Sequence, residues 1–375
     1  MSSLYKVPLT TITEINEHPN ADRLELARVY GFDVIIGKGS FNVGDSVIYI
    51  PIDSILPPEL ELHLFPEGSK IKLTKNRVRQ IKIRSIVSQG MLISPDAINI
   101  VYGFTPTKIE SDHAELLKVT KYEPPTRGNG TTGPVRKRKP LQNVNFHKYN
   151  GLTNIKWSPL LFNREIVVYQ EKIHGSNTRA GMLPFEAHSL WERIKGFFGL
   201  NPEYEFCYGS NNVQLQKRKD KTGFYGEDVY GKVFREINAE SKLLNGETIF
   251  GELYGEGIQK NYDYGVKGKH KFVLFDVKVL NEDGTQTWLN PDEVKRYAEE
   301  RGFDMVPELY RGPFIDLEHA RDHTVGNSVM APSQKVMEGL VVKSVENYCG
   351  VDGNKRALKM LSEAYLGNKS NTDFH

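Results

Sequence analysis

The sequence predicts an α+β protein of two domains, a small N-terminal β-barrel and a larger domain in which strands and helices are mixed. Three observations predict it. Residues 5–122 read as short alternating or apolar runs separated by turn signals. A proline- and glycine-rich break follows at 123–134, where continuous helix or sheet pairing is excluded. Beyond it, residues 145–366 mix strand patterns with capped helical ones. At 375 residues the chain has room for each domain to bury its own core. The expected division is 1–122, a flexible basic linker at 123–144, and 145–375.

In the first domain, Phe32-Asp33-Val34-Ile35-Ile36 runs into the turn Gly37-Lys38-Gly39, and Val43-Gly44-Asp45 precedes Ser46-Val47-Ile48-Tyr49-Ile50, the spacing of a small barrel. Upstream, His18-Pro19-Asn20-Ala21-Asp22-Arg23-Leu24-Glu25-Leu26-Ala27 resembles the opening of the OB-like tRNA-binding domains. Ile81-Lys82-Ile83-Arg84 with Ser88-Gln89-Gly90-Met91 resembles a later strand and turn of that module. The resemblance covers roughly the first third and implies a groove for single strands, along which Lys72, Lys75, Arg77, Arg79, Lys82 and Arg84 track a phosphate backbone. The alternative for these cations is an exposed strand face kept soluble by charge.

The linker carries Arg136-Lys137-Arg138-Lys139, readable as a solvated segment or a phosphate contact. In the second domain, Thr248-Ile249-Phe250 and Lys271-Phe272-Val273-Leu274-Phe275 read as strands. Residues 290–302 read as a helix with Asn290 as N-cap, Pro291 in the first turn and Gly302 as its stop. Between 183 and 205, Leu190, Ile194, Phe197 and Phe198 share one face of a helical excursion, expected to pack into the core or cover the site.

Composition narrows the function classes. Lys and Arg number 49 against 47 Asp and Glu, a net charge of +2, so any nucleic-acid surface is a local patch. Two cysteines, Cys207 and Cys349, exclude a disulfide scaffold and a four-cysteine zinc site. With no leader pattern and no long apolar run, a soluble intracellular protein without a membrane partner is expected.

The chemistry centres on residues 171–177, Glu-Lys-Ile-His-Gly-Ser-Asn. A lysine amine has an ordinary pKa of about 10.4, so at pH 7 on the order of one in a thousand is free to act as a nucleophile. Burial, a neighbouring cation or a bound metal near Lys172 lowers that barrier. The apolar segment 164–170 reads as a strand ending at the site, and Gly175 lets the backbone turn closely past a phosphate. Downstream come Phe250-Gly251-Glu252, Phe272-Val273-Leu274-Phe275-Asp276, Glu338-Gly339-Leu340-Val341-Val342-Lys343 and Leu358-Lys359. Strand alternation in the third of these would separate Glu338, Leu340 and Val342 from Gly339, Val341 and Lys343, unless a twist or bulge intervenes.

In this order the five segments, the heptad included, resemble the successive nucleotidyltransferase motifs of ATP-dependent RNA ligases. Phe146-His147-Lys148-Tyr149 with Asn154-Ile155, and Gly257-Ile258-Gln259-Lys260-Asn261, resemble the lead-in and middle of their nick-sealing branch. The resemblance implies an OB-like β-barrel followed by an α+β adenylyltransferase domain that seals breaks in duplexes with an RNA 3′-OH strand, using ATP as substrate and Mg²⁺ or Mn²⁺. It implies Lys172 as the adenylylated nucleophile, Glu171 and the Ile173 backbone on adenine with Phe275 stacked on it, and His174 and Asn177 at the phosphate side. Glu252 would bind the ribose, Glu338 the metal, and Lys343 and Lys359 the α-phosphate. The partner implied is RNA or an RNA-containing nicked duplex, in repair or a related setting.

Two departures stand out. Ser210-Asn211-Asn212 lacks an arginine the family usually shows there, with Arg179 or Arg218 as substitutes, and Arg179, Lys82 and Arg84 are the expected nucleic-acid contacts. Ala357 stands where a first lysine precedes Leu358-Lys359, with Lys355 or Arg356 as substitutes. Rival readings are a DNA ligase or capping enzyme, which usually carries aspartate where this chain has His174, and a non-catalytic RNA-binding protein with a degenerate transferase domain.

Overall fold

The computed structural model describes residues 5–69, 72–122, 142–215, 225, 227–350 and 354–367; the Arg136-Lys137-Arg138-Lys139 run and Arg218 lie outside them. In the N-terminal barrel, Leu24–Val29 pairs antiparallel with both Glu14–Glu17 and Phe32–Gly37, while Ser46–Ile50 pairs with Leu9–Thr11 and Met91–Ile93. Alternation sends Leu9, Ile48, Ile50 and Ile93 into one core and Ala27, Val34, Val47 and Tyr49 into a second. The helix Pro95–Tyr102 covers one end, capped by Ser94, whose side chain accepts from the Ala97 N–H, and stopped by Gly103 at φ 74°.

The second domain is built on two five-stranded sheets. One has the order Thr153–Asn154, Ala357–Leu361, Gly339–Ser344, Ile166–Lys172, Glu308–Pro313; the other Tyr204–Ser210, Ser176–Pro184, Glu247–Gly255, His270–Leu280, Gln286–Trp288. The expected strands at Thr248 to Phe250 and Lys271 to Phe275 fall in the second sheet. The expected helix forms as Pro291–Arg301: Asn290 accepts from the Asp292 and Glu293 amides, and Gly302 ends it at φ 63°. Its Val294, Tyr297 and Ala298 join Val229, Val233 and Phe234 of the helix Val229–Glu236 against Ile249, Leu253 and Phe272.

The two domains meet at Trp157. Its ring packs among Tyr30, Phe32 and Tyr49 at centroid distances of 5.2, 5.1 and 5.5 Å, inside the barrel's second core. Beside it, Lys156 Nζ donates to Gln89 Oε1 at 2.6 Å, and the Gly31 amide donates to the Lys156 carbonyl at 2.8 Å.

The helical excursion forms as Leu190–Phe197 with a Ser189–Glu192 capping box, but the expectation that it packs or covers the site is overturned. None of its residues is buried, and Phe197 is 87% exposed. The cap stabilises the helix locally, and no element packs over its apolar stripe among the described residues. Among those residues, no helix is long and apolar enough to cross a membrane.

Candidate active site

Ile166–Lys172 is an interior strand of its sheet, and register sets what faces the cleft. Lys172 lies opposite Gly339, Gln170 opposite Val341, and Val168 opposite Lys343; on the next strand Val341 lies opposite Lys359. Alternation turns Gln170, Val341, Lys343 and Lys359 toward the second sheet, while Leu340 and Val342 join Val167 and Tyr169 in the core behind. The strand begins at Ile166, later than expected, because Arg164 adopts a left-handed φ of 65°. From the second sheet come Phe275 and the cross-strand pair Asn177 and Glu252. A cleft of about 230 Å³ opens between the sheets, and Glu171, Lys172, Ile173, Asn177, Glu252, Phe275, Lys343 and Lys359 all line it.

Glu338 lies just before the strand Gly339–Ser344, so the alternation of that strand does not govern it. Gly339 sits at φ 156°, and a Cβ there would fall 2.1 Å from the Met360 carbonyl oxygen. The Glu338 carboxylate meets Lys172, whose Nζ donates to Glu338 Oε1 at 2.5 Å. Glu338 is 1% exposed, and its second oxygen lies 3.9 Å from His174 Nδ1. His174 is buried edge-on against Tyr262 and Tyr365, with its amide donating to the Tyr264 hydroxyl at 2.7 Å. Gly175 is also a close-approach position: a Cβ there would lie 2.3 Å from the Leu253 carbonyl oxygen, so the glycine serves packing against the neighbouring strand.

Glu171 Oε2 accepts from the Val329 and Met330 amides at 2.9 Å each, and burial pushes its carboxyl pKa up. Lys343 is buried, donating to the Phe275 carbonyl at 2.6 Å and to Asp276 at 2.8 Å. Asp276 also accepts from the Tyr149 and Tyr348 hydroxyls at 2.6 and 2.7 Å. Desolvation pushes the Lys343 pKa down against the pull of Asp276.

The donor set suits a hard divalent cation only in part. Among the described residues no group of three or more His, Cys, Asp and Glu side chains is placed to hold a metal. One buried carboxylate, Glu338, beside a cleft for a phosphate-bearing ligand fits Mg²⁺ or Mn²⁺, which commonly complete their shells with phosphate oxygens and water.

A family model described as RNA ligase matches residues 165–361, more than half of the chain and the whole span from the strand that carries Lys172 to Lys359. The chain belongs to the RNA ligase family. A second model, an OB-fold domain, matches residues 7–95 of this RNA ligase, in keeping with the barrel strands. Three solved structures carry the likeness over nearly the full length. A Naegleria gruberi RNA ligase with PPi is 22% identical, covering 97% of this chain and 98% of that one, with a TM-score of 0.69. A lysine-to-alanine mutant of that ligase with ATP and Mn is 20% identical over 98% and 100%, with a TM-score of 0.71. A lysine-to-methionine mutant with AMP and Mn is 20% identical over 97% and 99%, with a TM-score of 0.70. At these identities the likeness shows the shared fold.

The two motif departures of this RNA ligase have distinct structural outcomes. Asn211 clamps the backbone of Tyr149, accepting from its amide at 2.7 Å and donating to its carbonyl at 3.1 Å. Arg179 does not serve as the substitute arginine or as a surface contact for nucleic acid, because it is 0% exposed, donates to the Phe146 carbonyl at 2.7 Å and lies 4.1 Å from the Phe146 ring. Burial pushes its pKa down to about 10. At the other departure, Lys355 Nζ lies 3.4 Å from the Tyr149 ring centroid, directly behind the cleft, whereas Arg356 turns away to pair with Glu165. Burial pushes the Lys355 pKa down to about 8.

On the barrel of the RNA ligase, Lys72, Lys75, Arg79, Lys82 and Arg84 lie at the surface. Arg77 is not on that face: it pairs with Asp53 at 2.5 Å and stacks 3.9 Å over Tyr122. Sequence reasoning missed the cleft roles of Gln170, Asn211 and Val341 and the position of Asp276 as a shared acceptor. Strand alternation from Lys172 was the available signal for Gln170; nothing in the spacing pointed to Tyr348.

Proposed function

We propose that this RNA ligase uses ATP to join a 3′-OH to a 5′-phosphate at nicks in duplexes whose 3′-OH strand is RNA. The observation that carries the reading is Lys172 at the mouth of a cleft with an aromatic wall, Phe275, an apolar floor, Val341, and two lysines, Lys343 and Lys359. That layout suits a purine nucleotide with its α-phosphate held beside an amine. The solved Naegleria gruberi ligases with ATP and Mn, AMP and Mn, and PPi support the same chemistry here.

In the first step the Lys172 amine attacks the α-phosphorus of ATP; a P–N bond forms and the bond to pyrophosphate breaks. The AMP then passes to a 5′-phosphate, forming a P–O–P link as the P–N bond breaks. Finally the 3′-OH oxygen attacks the phosphorus of that 5′-phosphate, its proton goes to solvent or a nearby base, and AMP leaves. Each step is phosphoryl transfer, in which positioning and charge stabilisation dominate. Phe275 stacks on the adenine, Glu171 and the Ile173 backbone meet its edge, and Glu252 takes the ribose. His174 and Asn177 sit at the phosphate side, and Lys343 and Lys359 offset charge on the α-phosphate. An ammonium has no lone pair, so Lys172, which donates to Glu338, must lose a proton before attack. Glu338 would hold Mg²⁺ or Mn²⁺, which when bound offsets phosphate charge and competes for the carboxylate that holds Lys172. Lys82 and Arg84 on the exposed barrel face would steady the nucleic acid through its phosphates.

The test is covalent labelling with radiolabelled ATP and Mn²⁺, followed by joining of nicked duplexes that differ only in the sugars beside the break. Wild type is expected to take label and Lys172→Met to take none; label on Lys172→Met overturns the mechanism. Duplexes with an RNA 3′-OH strand are expected to be joined faster than all-DNA ones, and equal rates overturn the substrate assignment.

A further inference from the structure

We propose that Gln170 reads the base edge of the nucleotide, an inference that rests on the adenylyltransferase reading above. Gln170 is 1% exposed and lines the cleft, and neither its Oε1 nor its Nε2 has a hydrogen-bond partner among the described residues. A buried amide left unpaired opposes folding, and the large majority of buried polar side-chain atoms are paired. A carboxamide held this way in a cleft wall is set for a ligand.

Register gives the ligand its orientation. Gln170 pairs with Val341, and Val341 pairs with Lys359, so one row across the sheet runs from a carboxamide through an apolar floor to a cation. A base sandwiched between Phe275 and Val341, with its phosphates toward Lys172 and Lys359, presents its far edge to Gln170. A carboxamide offers an acceptor and a donor side by side, matching the 6-amino group of adenine and the ring nitrogen next to it. Alone, it could turn over and serve guanine equally well. The contact therefore reads the group at purine C6, amino or oxo.

The experiment compares single-turnover self-labelling of the full chain by ATP and by purine riboside 5′-triphosphate, which lacks the 6-amino group, for wild type, Gln170→Met and Gln170→Leu. Wild type is expected to prefer ATP, and Gln170→Met to lower that preference about tenfold. Because the substitution removes an unpaired buried amide, its melting temperature is expected to equal or exceed that of wild type. A merely structural glutamine gives the opposite pattern, a lower melting temperature with the ATP preference unchanged, and that result overturns the proposal. An equal loss on both triphosphates, or no preference in wild type, overturns it as well. If wild type takes no label from ATP, the adenylyltransferase reading itself fails; label with an unaltered preference in both variants sinks the Gln170 assignment alone.

Discussion

Lys343 and Asp276 form an ion pair of 2.8 Å in which neither side chain is more than 2% exposed. Such a pair contributes little net stability while intact, because desolvation offsets the attraction, but removing one partner strands the other charge. Asp276→Ala is therefore expected to cost about 3–5 kcal/mol in urea unfolding, with much of the loss recovered in the Asp276→Ala, Lys343→Met double variant. A simple sum of the single-variant losses would contradict the coupling.

Lys172 is held by Glu338, the same carboxylate that is proposed to hold the metal. Glu338→Gln keeps an acceptor for the ammonium while removing the charge. Self-labelling is expected to slow on the order of a hundredfold, with a raised Mn²⁺ requirement. Single-turnover rates across a metal titration check this, and an unchanged metal dependence would argue that Glu338 serves only to position the lysine.

Trp157 sits among three aromatic rings of the barrel. Trp157→Ala is expected to cost about 3 kcal/mol in the unfolding of the full chain, as a large-to-small change at a packed position. The folded variant is expected to self-label at the wild-type rate but join nicked duplexes more slowly, because the barrel loses its docking point and not the chemistry. Parallel losses in both assays would place the barrel in the adenylylation step.

Lys355 carries the pH prediction. Its folded pKa of about 8 lies below its ordinary 10.5, chiefly through burial. Between those values the unfolded chain binds more protons than the folded one, so stability rises as pH increases through this window. Relative to Lys355→Met, wild type is expected to gain melting temperature from pH 7.5 to 9.5, a range of about two units spanning the lower part of that window. A flat difference across the range would show that the amine titrates normally.

Much of the fold was legible locally. Asn290, Pro291, Glu293 and Gly302 write a start and a stop for one helix, and alternation in 32–36 and 46–50 writes barrel strands. Ser189 and Glu192 likewise specified the excursion helix, but not its exposure, because the apolar stripe that forms it says nothing about what lies opposite. Arg179 read as a surface cation because charge is normally solvated; its burial depends on the Phe146 carbonyl and ring, which arrive from a separate segment.

The sequence by itself determined the family and the order of the motifs, because Lys172, Glu252, Phe275, Glu338, Lys343 and Lys359 lie in short segments whose spacing is local. Only the tertiary structure decided which of these side chains meet. Strand register set Gln170 in one row with Val341 and Lys359, packing brought Glu338 onto Lys172, and Asp276 drew in Lys343, Tyr149 and Tyr348. The contacts of Glu338 and Asp276 join segments far apart in the chain, and their geometry follows from how two sheets pair and pack, which no local pattern encodes.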